Sequence, residues 1–342
     1  MAPAIRETRD LSEFFRGKRV LITGGLGFIG SHLARALANG GSDVILVDSL
    51  VPEYGGNLMN VVGIEDRVRI NISDVRDEYS FRQLIKDQEI LFNLAGQTSH
   101  LDSMADPFTD LEINCRSQLS ILEACRHHNP DVTVVFASTR QVYGRPAYLP
   151  VDESHPIAPV DVNGIHKAAG EWYHLLYART RGLNVALLRL TNTYGPHMRV
   201  KDERQTFLGS WLRAILQGEP LTIFGDGAQR RDFTYVDDAV RALMLVAAHR
   251  AAWTNVFNLG GDRPVSLLEL AQLLIEANGA GEYRLVPFPD DRRAIDIGDY
   301  YADFSKIRDS LGWVPEVPLE AGLRRALAFY REHGTAYWDT SA

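Results

Sequence analysis

The feature that most constrains the fold of this sequence is a short apolar strand that runs through a glycine-rich turn directly into a helix. The segment RVLIT, at residues 19–23, has the composition of a buried strand, and SHLARAL, from Ser31, has the periodicity of an amphipathic helix. Similar short strands alternate with helix-length segments through the first 190 residues. This alternation predicts the α/β class, with a doubly wound parallel sheet and helices on both of its faces.

The glycines of this turn are spaced for contact with a dinucleotide. Gly24 and Gly27 permit a tight turn and a close approach to a pyrophosphate, and Gly30 lets the helix pack closely on the strand. The N-terminus of the helix offers unpaired N–H groups to the phosphates. Asp48 ends the next predicted strand, 24 residues after Gly24, where its carboxylate can accept from both ribose hydroxyls and would repel a 2′-phosphate. The pattern predicts NAD rather than NADP.

The predicted cofactor site extends over the ends of the first four strands. Asp74, after the third strand, either meets the adenine amino group or caps the helix that follows. The predicted cofactor-binding residues are Gly24, Gly27, Phe28, Ile29, Gly30, Asp48, Ser49, Asp74, Val75, Leu94, Ala95, Gly96 and Lys167.

The predicted elements divide the chain into two interleaved lobes. Strands are predicted at residues 19–23, 44–47, 67–70, 90–93, 132–136 and 184–189, and the longest helices at 107–127 and 164–181. After residue 194, short mixed segments with Gly and Pro predict a smaller mixed α/β C-terminal substrate lobe. We therefore assign residues 1–190, with 235–260 returning to them, to a Rossmann-type NAD-binding domain, and 191–234 and 261–342 mainly to a substrate-binding lobe.

The overall composition argues against several kinds of partner. The 342 residues carry a net charge of −8 and no basic run, so no binding to nucleic acid or to a membrane surface is expected. Cys115 and Cys125 are too few for a disulfide framework or a zinc site, and no metal is expected. With no leader-like or membrane-length apolar segment, the expected location is cytoplasmic.

Several further segments resemble, in the same order, those of the NAD-dependent epimerases and dehydratases that act on nucleotide sugars, a family of extended short-chain dehydrogenases. The glycine spacing, with two residues between successive glycines, is that family's variant. The likeness extends over nearly the whole chain and includes NLAGQTSHLDS (93–103), LEIN (111–114), STRQVYG (138–144), RLTNTYGP (189–196) and RDFTYVDD (231–238). It implies NAD as cofactor and a nucleotide sugar as substrate.

The resemblance also implies roles for single residues. Thr139 matches a Ser or Thr whose hydroxyl bonds the sugar hydroxyl being oxidised. Lys167 matches the Lys that holds the nicotinamide ribose and lowers the pKa of the catalytic phenol. Asn192 matches a residue that contacts the nucleotide sugar. The predicted substrate-binding residues are Ser99, Thr139, Asn192, Arg231 and Arg292.

Two of these residues are cations suited to a diphosphate. Arg231 and one of Arg292 and Arg293 match positions that bind the substrate pyrophosphate, a task that suits planar bidentate donors. For Arg231 the alternative is a surface ion pair with Asp232 or Asp237.

The sequence departs from the family at its catalytic Tyr, which stands four residues before the Lys. Asn163 occupies that place, and an amide has no proton that titrates near neutral pH. The predicted catalytic residues are Thr139, Asn163, Lys167 and His197. His197 is included because it follows YGP, where some reductive epimerases place a proton-transferring His. The other candidate acceptors are His100, which could instead pack against the helix from residue 107, His166, for which packing is preferred, and a water held by Asn163 and Thr139.

A second departure narrows the reaction. The family's 4,6-dehydratases follow the Thr with Asp and Glu, whereas this chain has Arg140 and Gln141, which cannot exchange protons in that step. Dehydration by the usual route is disfavoured. Arg140 could pair with a substrate carboxylate or, pointing away, with Asp152 or Glu153.

The resulting hypothesis is epimerisation of a nucleotide sugar through a transient keto sugar. The alternatives are a decarboxylase, a reductase or a dehydratase with a non-standard proton acceptor, or a catalytically inactive sensor of NAD and a nucleotide sugar. Family members commonly dimerise through two long helices per subunit, so the resemblance implies a homodimer through residues 107–127 and 164–181.

Overall fold

The structure is a computed structural model that describes residues 8–51, 53–202 and 206–338. Thirteen strands lie within these residues. They are β1 Arg19–Thr23, β2 Asp43–Asp48, β3 Val68–Ile72, β4 Ile90–Asn93, β5 Thr133–Thr139, β6 Asn184–Leu190, β7 Asn192–Tyr194, β8 Leu221–Phe224, β9 Arg230–Arg231, β10 Phe233–Tyr235, β11 Val256–Asn258, β12 Val265–Ser266 and β13 Tyr283–Val286.

Seven parallel strands form the central sheet, in the order β3, β2, β1, β4, β5, β6 and β11. This arrangement confirms the predicted Rossmann-type α/β class. The strands predicted at 19–23 and 90–93 have the observed bounds, and the other four differ by at most three residues at either end. The strand order reverses between β1 and β4, and a crevice opens beyond the carboxyl ends of strands at such a point.

Helices cover both faces of the sheet and recur through the segments after β7. They are α1 Thr8–Phe15, α2 Phe28–Asn39, α3 Glu78–Leu84, α4 His100–Ala105, α5 Pro107–Leu111, α6 Ser117–His128, α7 Val162–Arg181, α8 Phe207–Leu216, α9 Val236–Ala248, α10 Leu267–Asn278, α11 Asp290–Arg293, α12 Ser305–Leu311, α13 Leu319–His333 and α14 Thr335–Trp338.

The alternating side chains of the sheet fill two separate cores. On one face Val20, Ile22 and Leu46 pack with residues of α2 and α9, and on the other Leu21, Val134 and Phe136 pack with α6 and its neighbours. Because both faces are covered, these strands are apolar at nearly every position. The carboxyl ends of the strands are therefore held rigidly where the crevice opens.

Two local features set the helices beside this crevice. The helix predicted at 107–127 is interrupted by a π-helical segment, Glu112–Arg116, between α5 and α6. Helix α7 is capped at its start by Asp161, whose side chain accepts from the Gly164 amide at 2.6 Å, and at its end by Gly182, which has the left-handed φ of +74°. Asn163 and Lys167 thus project from the first turns of a well-capped helix.

Candidate active site

Two adjoining cavities lie at the carboxyl ends of the sheet. The first cavity is bounded by the glycine turn, by the ends of β2, β4 and β5, and by the start of α7. The second cavity lies between α4 and the segments around Arg231 and Arg292. The residues that line both cavities are His100, Arg140, Gln141, Asn192 and Thr206. A ligand in one cavity can therefore reach a ligand in the other.

The glycine turn leaves room for a phosphate group at the start of α2. Gly24 has a φ of +68°, and a Cβ there would lie 3.1 Å from the backbone of Ala95. A Cβ on Gly30 would lie only 2.1 Å from the carbonyl oxygen of Gly24. Gly27 stands at the N-cap and has no side chain to satisfy the first N–H groups of α2. These features fit the pyrophosphate of a dinucleotide.

Two carboxylates lie where the adenosine half of a dinucleotide would bind. Asp48 accepts from the backbone amides of Leu26 at 3.1 Å and Leu50 at 3.0 Å, and burial raises its pKa despite these bonds. Asp74 accepts two hydrogen bonds from the Arg76 guanidinium, at 2.9 and 2.6 Å, which hold its pKa below the usual value. The cap of α3 is Asp77, so the alternative of Asp74 as the helix cap is wrong.

Every residue predicted to bind the cofactor lines the first cavity. Leu94 and Ala95 are fixed by the hydroxyl of Thr23, which accepts from both of their amides at 3.1 Å. A Cβ on Gly96 would lie 3.0 Å from Nζ of Lys167 and would obstruct the amine.

Lys167 is buried between the end of β5 and the floor of the first cavity. Its Nζ donates to the carbonyl of Ala137 at 3.3 Å and lies 5.1 Å from the ring centre of Phe136. Burial lowers the pKa of this amine to about 8, against the opposing charges of Asp110 and Glu171. At this position the protonated amine is screened from water and can donate hydrogen bonds to a pair of ribose hydroxyls.

Asn163 lines the first cavity, but its side chain is committed to its neighbours. It is only 2% exposed, and Nδ2 donates to the carbonyl of Gln97 at 2.8 Å and to Oδ2 of Asp110 at 3.1 Å. The same Asp110 lies 2.7 Å from Nδ1 of His166. Thr139 lines the same cavity at the end of β5.

His197 lines neither cavity, so the structure gives no support to the prediction that it takes part in catalysis. It adopts a φ of +66°, and its ring packs against His32, Phe329 and Tyr337. Its Nδ1 lies 3.3 Å from Oγ of Ser31. Burial lowers its pKa to about 3, so the ring is neutral at physiological pH. The turn after β7 directs this side chain behind α2 rather than toward the crevice.

His100 is the histidine that the structure brings to the site. It is the first residue of α4 and lines both cavities. Its Nδ1 lies 3.0 Å from Oδ2 of Asp161, which also accepts from Nε2 of Gln141 at 3.0 Å. Burial alone would raise the pKa of Asp161, but contacts with His100, the Gly164 amide and Gln141 hold it below the usual value.

Arg231 and Arg292 line the second cavity. Arg231 is buried, donates to backbone carbonyls of Arg230 and Gly298, and lies 3.7 Å from Asp296, so the alternative of a surface ion pair with Asp232 or Asp237 is wrong. Burial lowers its pKa to about 10. The guanidinium of Arg292 lies 5.0 Å from the ring centre of Phe224. The side chain of Arg293 is 66% exposed, and this residue does not line the cavity.

Arg140 and Asn192 lie where the two cavities join. Nη2 of Arg140 donates to Oδ1 of Asn192 at 3.0 Å, and Nδ2 of Asn192 donates to the carbonyl of Asp232 at 2.9 Å. Arg140 also lies over the ring of Tyr300, at 5.3 Å, and not beside Asp152 or Glu153. Ser99, by contrast, lines the second cavity and caps α4.

Three residues of the site were missed as contributors: Asp161, Asp110 and Thr206. Asp161 could have been found as a helix cap two residues before Asn163, although its pairing with His100 joins positions 61 residues apart. Asp110 has one partner close in sequence, Asn114, but its other partners, Asn163 and His166, come from another helix, and these place it at the site.

The fold and the first cavity together define a dinucleotide-dependent α/β enzyme. Residues 20–260 match the NAD dependent epimerase/dehydratase family, and the chain belongs to that family. The cofactor of this enzyme is NAD, which fits the uncapped start of α2 and the carboxylate of Asp48.

Three similar proteins have names that state an activity. UDP-glucuronic acid decarboxylase 1 of Xenopus tropicalis is 32% identical, over 92% of this chain and 72% of its own length. The dTDP-glucose 4,6-dehydratase DesIV of Streptomyces venezuelae, solved with NAD, has a TM-score of 0.85 at 30% identity, over 94% of this chain and 99% of its own. The UDP-glucose 4-epimerase of Thermotoga maritima, solved with UDP-glucose, has a TM-score of 0.83 at 32% identity, over 92% and 98%.

Residues 8–51, 53–202 and 206–338 include no helix of the length and apolarity needed to cross a bilayer. In the same residues, no group of three or more His, Cys, Asp or Glu side chains is arranged to hold a metal ion.

Proposed function

We propose that this protein epimerises a nucleotide sugar at a ring carbon, carbon 4 being the first choice, through a transient keto sugar. The observation that carries the proposal is the continuity of the two cavities at Arg140, Gln141 and Asn192. A sugar ring at this junction would face the nicotinamide half of the first cavity. Bound NAD would supply a hydride acceptor that later returns the hydride.

The residues of the chain would hold the reactants in defined positions. Arg231 and Arg292 would bind the diphosphate, since guanidinium groups offer planar pairs of donors. The hydroxyl of Thr139 would orient the sugar hydroxyl, and Lys167 would hold the nicotinamide ribose. Gln141 stands where a dehydratase would need a titratable side chain, so elimination of water is disfavoured.

The test is product analysis without added cofactor. The purified protein is incubated with UDP-, dTDP-, CDP- and GDP-sugars, and the mixtures are followed for NADH absorbance and for isomerised sugar. Epimerisation predicts an isomer of unchanged mass and only transient NADH. A requirement for added NAD or NADH would contradict the redox-neutral cycle, and binding with neither NADH nor product would indicate a sensor.

A second candidate is favoured by Arg140: action on a nucleotide sugar that carries a carboxylate. Arg140 forms no ion pair with any carboxylate of residues 8–51, 53–202 and 206–338, although it lines both cavities. A uronic acid sugar would supply the missing partner, and one relative is named a UDP-glucuronic acid decarboxylase.

This candidate is tested with UDP-glucuronic acid and UDP-glucose. Loss of one charged hydrogen bond in Arg140→Gln would raise KM for the uronic acid by roughly tenfold to a hundredfold and leave KM for UDP-glucose nearly unchanged. Equal effects on both sugars would contradict it. Release of CO2 would distinguish decarboxylation from epimerisation.

We also propose that the protein is a cytoplasmic homodimer. The helices α5 and α7 expose apolar side chains on their outer surface, including Phe108, Ile165 and Trp172, which are 76%, 52% and 58% exposed. Sedimentation should give a dimer that Trp172→Glu converts to a monomer. A monomeric wild-type protein would contradict this pairing.

A further inference from the structure

The proposed oxidation needs an acceptor for the sugar hydroxyl proton, and Asn163 cannot supply one. Its amide does not titrate near neutral pH, and its nitrogen is already held by Gln97 and Asp110. The acceptor has to line the first cavity beside Thr139 and Lys167, with a lone pair open to the substrate.

The position of each histidine narrows this choice. His197 packs behind α2 and lines neither cavity. His166 also lines neither cavity, and its Nδ1 is held by Asp110 at 2.7 Å. Of the histidines in the described residues, His100 is the one that lines these two cavities.

The surroundings of His100 resemble those of a general base. Nδ1 lies 3.0 Å from the carboxylate of Asp161, whose side chain is 1% exposed, and 3.3 Å from the amide nitrogen of Gln141. Asp161 is held in turn by Gln141 and by the Gly164 amide at the start of α7. The other nitrogen, Nε2, has no hydrogen-bond partner among the residues that the structure describes. The His100 side chain is one-third exposed, toward the cavities.

We propose that His100 and Asp161 form the acid–base pair of this enzyme in place of the absent Tyr, an inference that rests on the proposed function. A buried carboxylate beside Nδ1 favours the tautomer with the proton on Nδ1, which leaves the lone pair of Nε2 for the substrate. It also stabilises the imidazolium that forms when Nε2 takes a proton.

The step balances in atoms and electrons. The O–H bond of the sugar hydroxyl and the C–H bond of the same carbon break, and a C=O bond forms. The proton would pass to Nε2 of His100, and bound NAD would supply the acceptor for the hydride with both of its electrons. His100 returns the proton when the hydride comes back to the opposite face of the carbonyl. Asp161 stays ionised throughout: burial alone would raise its pKa, but contacts with His100, the Gly164 amide and Gln141 hold it below the usual value.

The first experiment does not depend on activity. In ¹⁵N-histidine NMR of the purified holoenzyme, with the His100 signal assigned by its loss in His100→Gln, neutral His100 should carry its proton on Nδ1. A proton on Nε2 would overturn the proposal, because that nitrogen could then accept nothing from the substrate.

The second experiment compares variants in transient NADH formation with UDP-glucose, dTDP-glucose and UDP-glucuronic acid. His100→Gln should slow it roughly a hundredfold or more, with KM and NAD content retained. Asp161→Asn should also slow it, although an Asn oxygen can still accept from Gly164 and cap α7. The matched control is His333→Gln, which removes a surface histidine 3.7 Å from Glu332. It should behave as the wild type.

The outcomes separate this inference from the function on which it rests. If the wild type reduces its NAD and His100→Gln does so at the same rate, the acid–base pair is wrong and the proposed function stands. If the wild type neither reduces NAD nor forms product with these sugars, both are contradicted. Restoration of a slow His100→Gly variant by added imidazole would support a role in proton transfer rather than in folding.

Discussion

Asn163 and Lys167 lie one turn apart on α7, where the family has its Tyr and Lys. Lys167 retains the family's amine, whereas Asn163 has an amide in place of the titratable phenol. Nδ2 of Asn163 donates two hydrogen bonds inside the protein, to Gln97 and to Asp110. A side chain of another kind would leave the buried Asp110 with one donor fewer. The amide of Asn163 is therefore part of a buried hydrogen-bond network, as expected if the active site adapted to an Asn at this position.

Replacement of this residue should therefore not restore a lost activity. Asn163→Tyr and Asn163→Ala should both lower the turnover number, by roughly tenfold or more, because each loses the bonds to Gln97 and Asp110. Turnover and NAD content are measured together, so that a folding defect is recognised. A Tyr variant faster than the wild type would contradict this interpretation and would favour a retired enzyme.

The buried amine of Lys167 also affects the free energy of unfolding. Burial lowers its pKa in the folded protein to about 8 from 10.5. Below pH 8 the amine is protonated in both states, but this cation is buried in the folded protein and hydrated in the unfolded chain. Between about pH 8 and 10.5 the unfolded chain binds more protons at this group, so its contribution to the free energy of unfolding rises with pH.

Lys167→Met should remove this contribution. In urea unfolding after removal of nucleotide, the variant should be more stable than the wild type at pH 7, by a difference on the order of 3 kcal/mol. The difference should shrink as the pH approaches 10.5. A difference that stays constant with pH would contradict the assignment of a buried, charged Lys167.

At the scale of elements, the strand β1, its turn and helix α2 form the unit on which cofactor binding depends. Gly30→Ala would place a methyl group 2.1 Å from the carbonyl oxygen of Gly24, which forces the strand and helix apart. We expect a loss of about 1–3 kcal/mol in the free energy of unfolding, with loss of bound NAD.

The matched control lies at the other end of the same helix. Gly40 has an ordinary φ of −76°, and a Cβ there would lie 3.4 Å from its nearest neighbours. Gly40→Ala should therefore keep the bound NAD and nearly all of the stability. Equal losses in the two variants would show that close packing at Gly30 is not what matters.

The sequence predicted elements whose signals are local and missed those that depend on distant partners. The strands at 19–23 and 90–93 are apolar runs with clear ends, and their bounds agree with the structure. The π-helical segment Glu112–Arg116 was missed, because Asn114 there bonds Gln97 and Asp110, and no periodicity reveals this. The position of His197 outside both cavities could not be predicted either, because its motif does not indicate the left-handed backbone conformation at this residue.

At the scale of the whole molecule, the two cavities meet because segments from the central strands and from the chain after β7 lie at the same end of the sheet. β11 joins the sheet beside β6, while β9 and the segment with Arg292 carry cations to the second cavity. The net charge of −8 makes this pair of arginines, of which Arg231 is buried and Arg292 is partly exposed, a local exception suited to an anionic ligand.

Calorimetric titration of the nucleotide-free protein with NAD, and then with UDP-glucose and dTDP-glucose, tests the central claim that the joined cavities bind a dinucleotide and a nucleotide sugar. We predict saturable binding of NAD that Asp48→Ala weakens, and binding of at least one nucleotide sugar that Arg231→Gln weakens. If neither NAD nor either nucleotide sugar bound, the account would be contradicted.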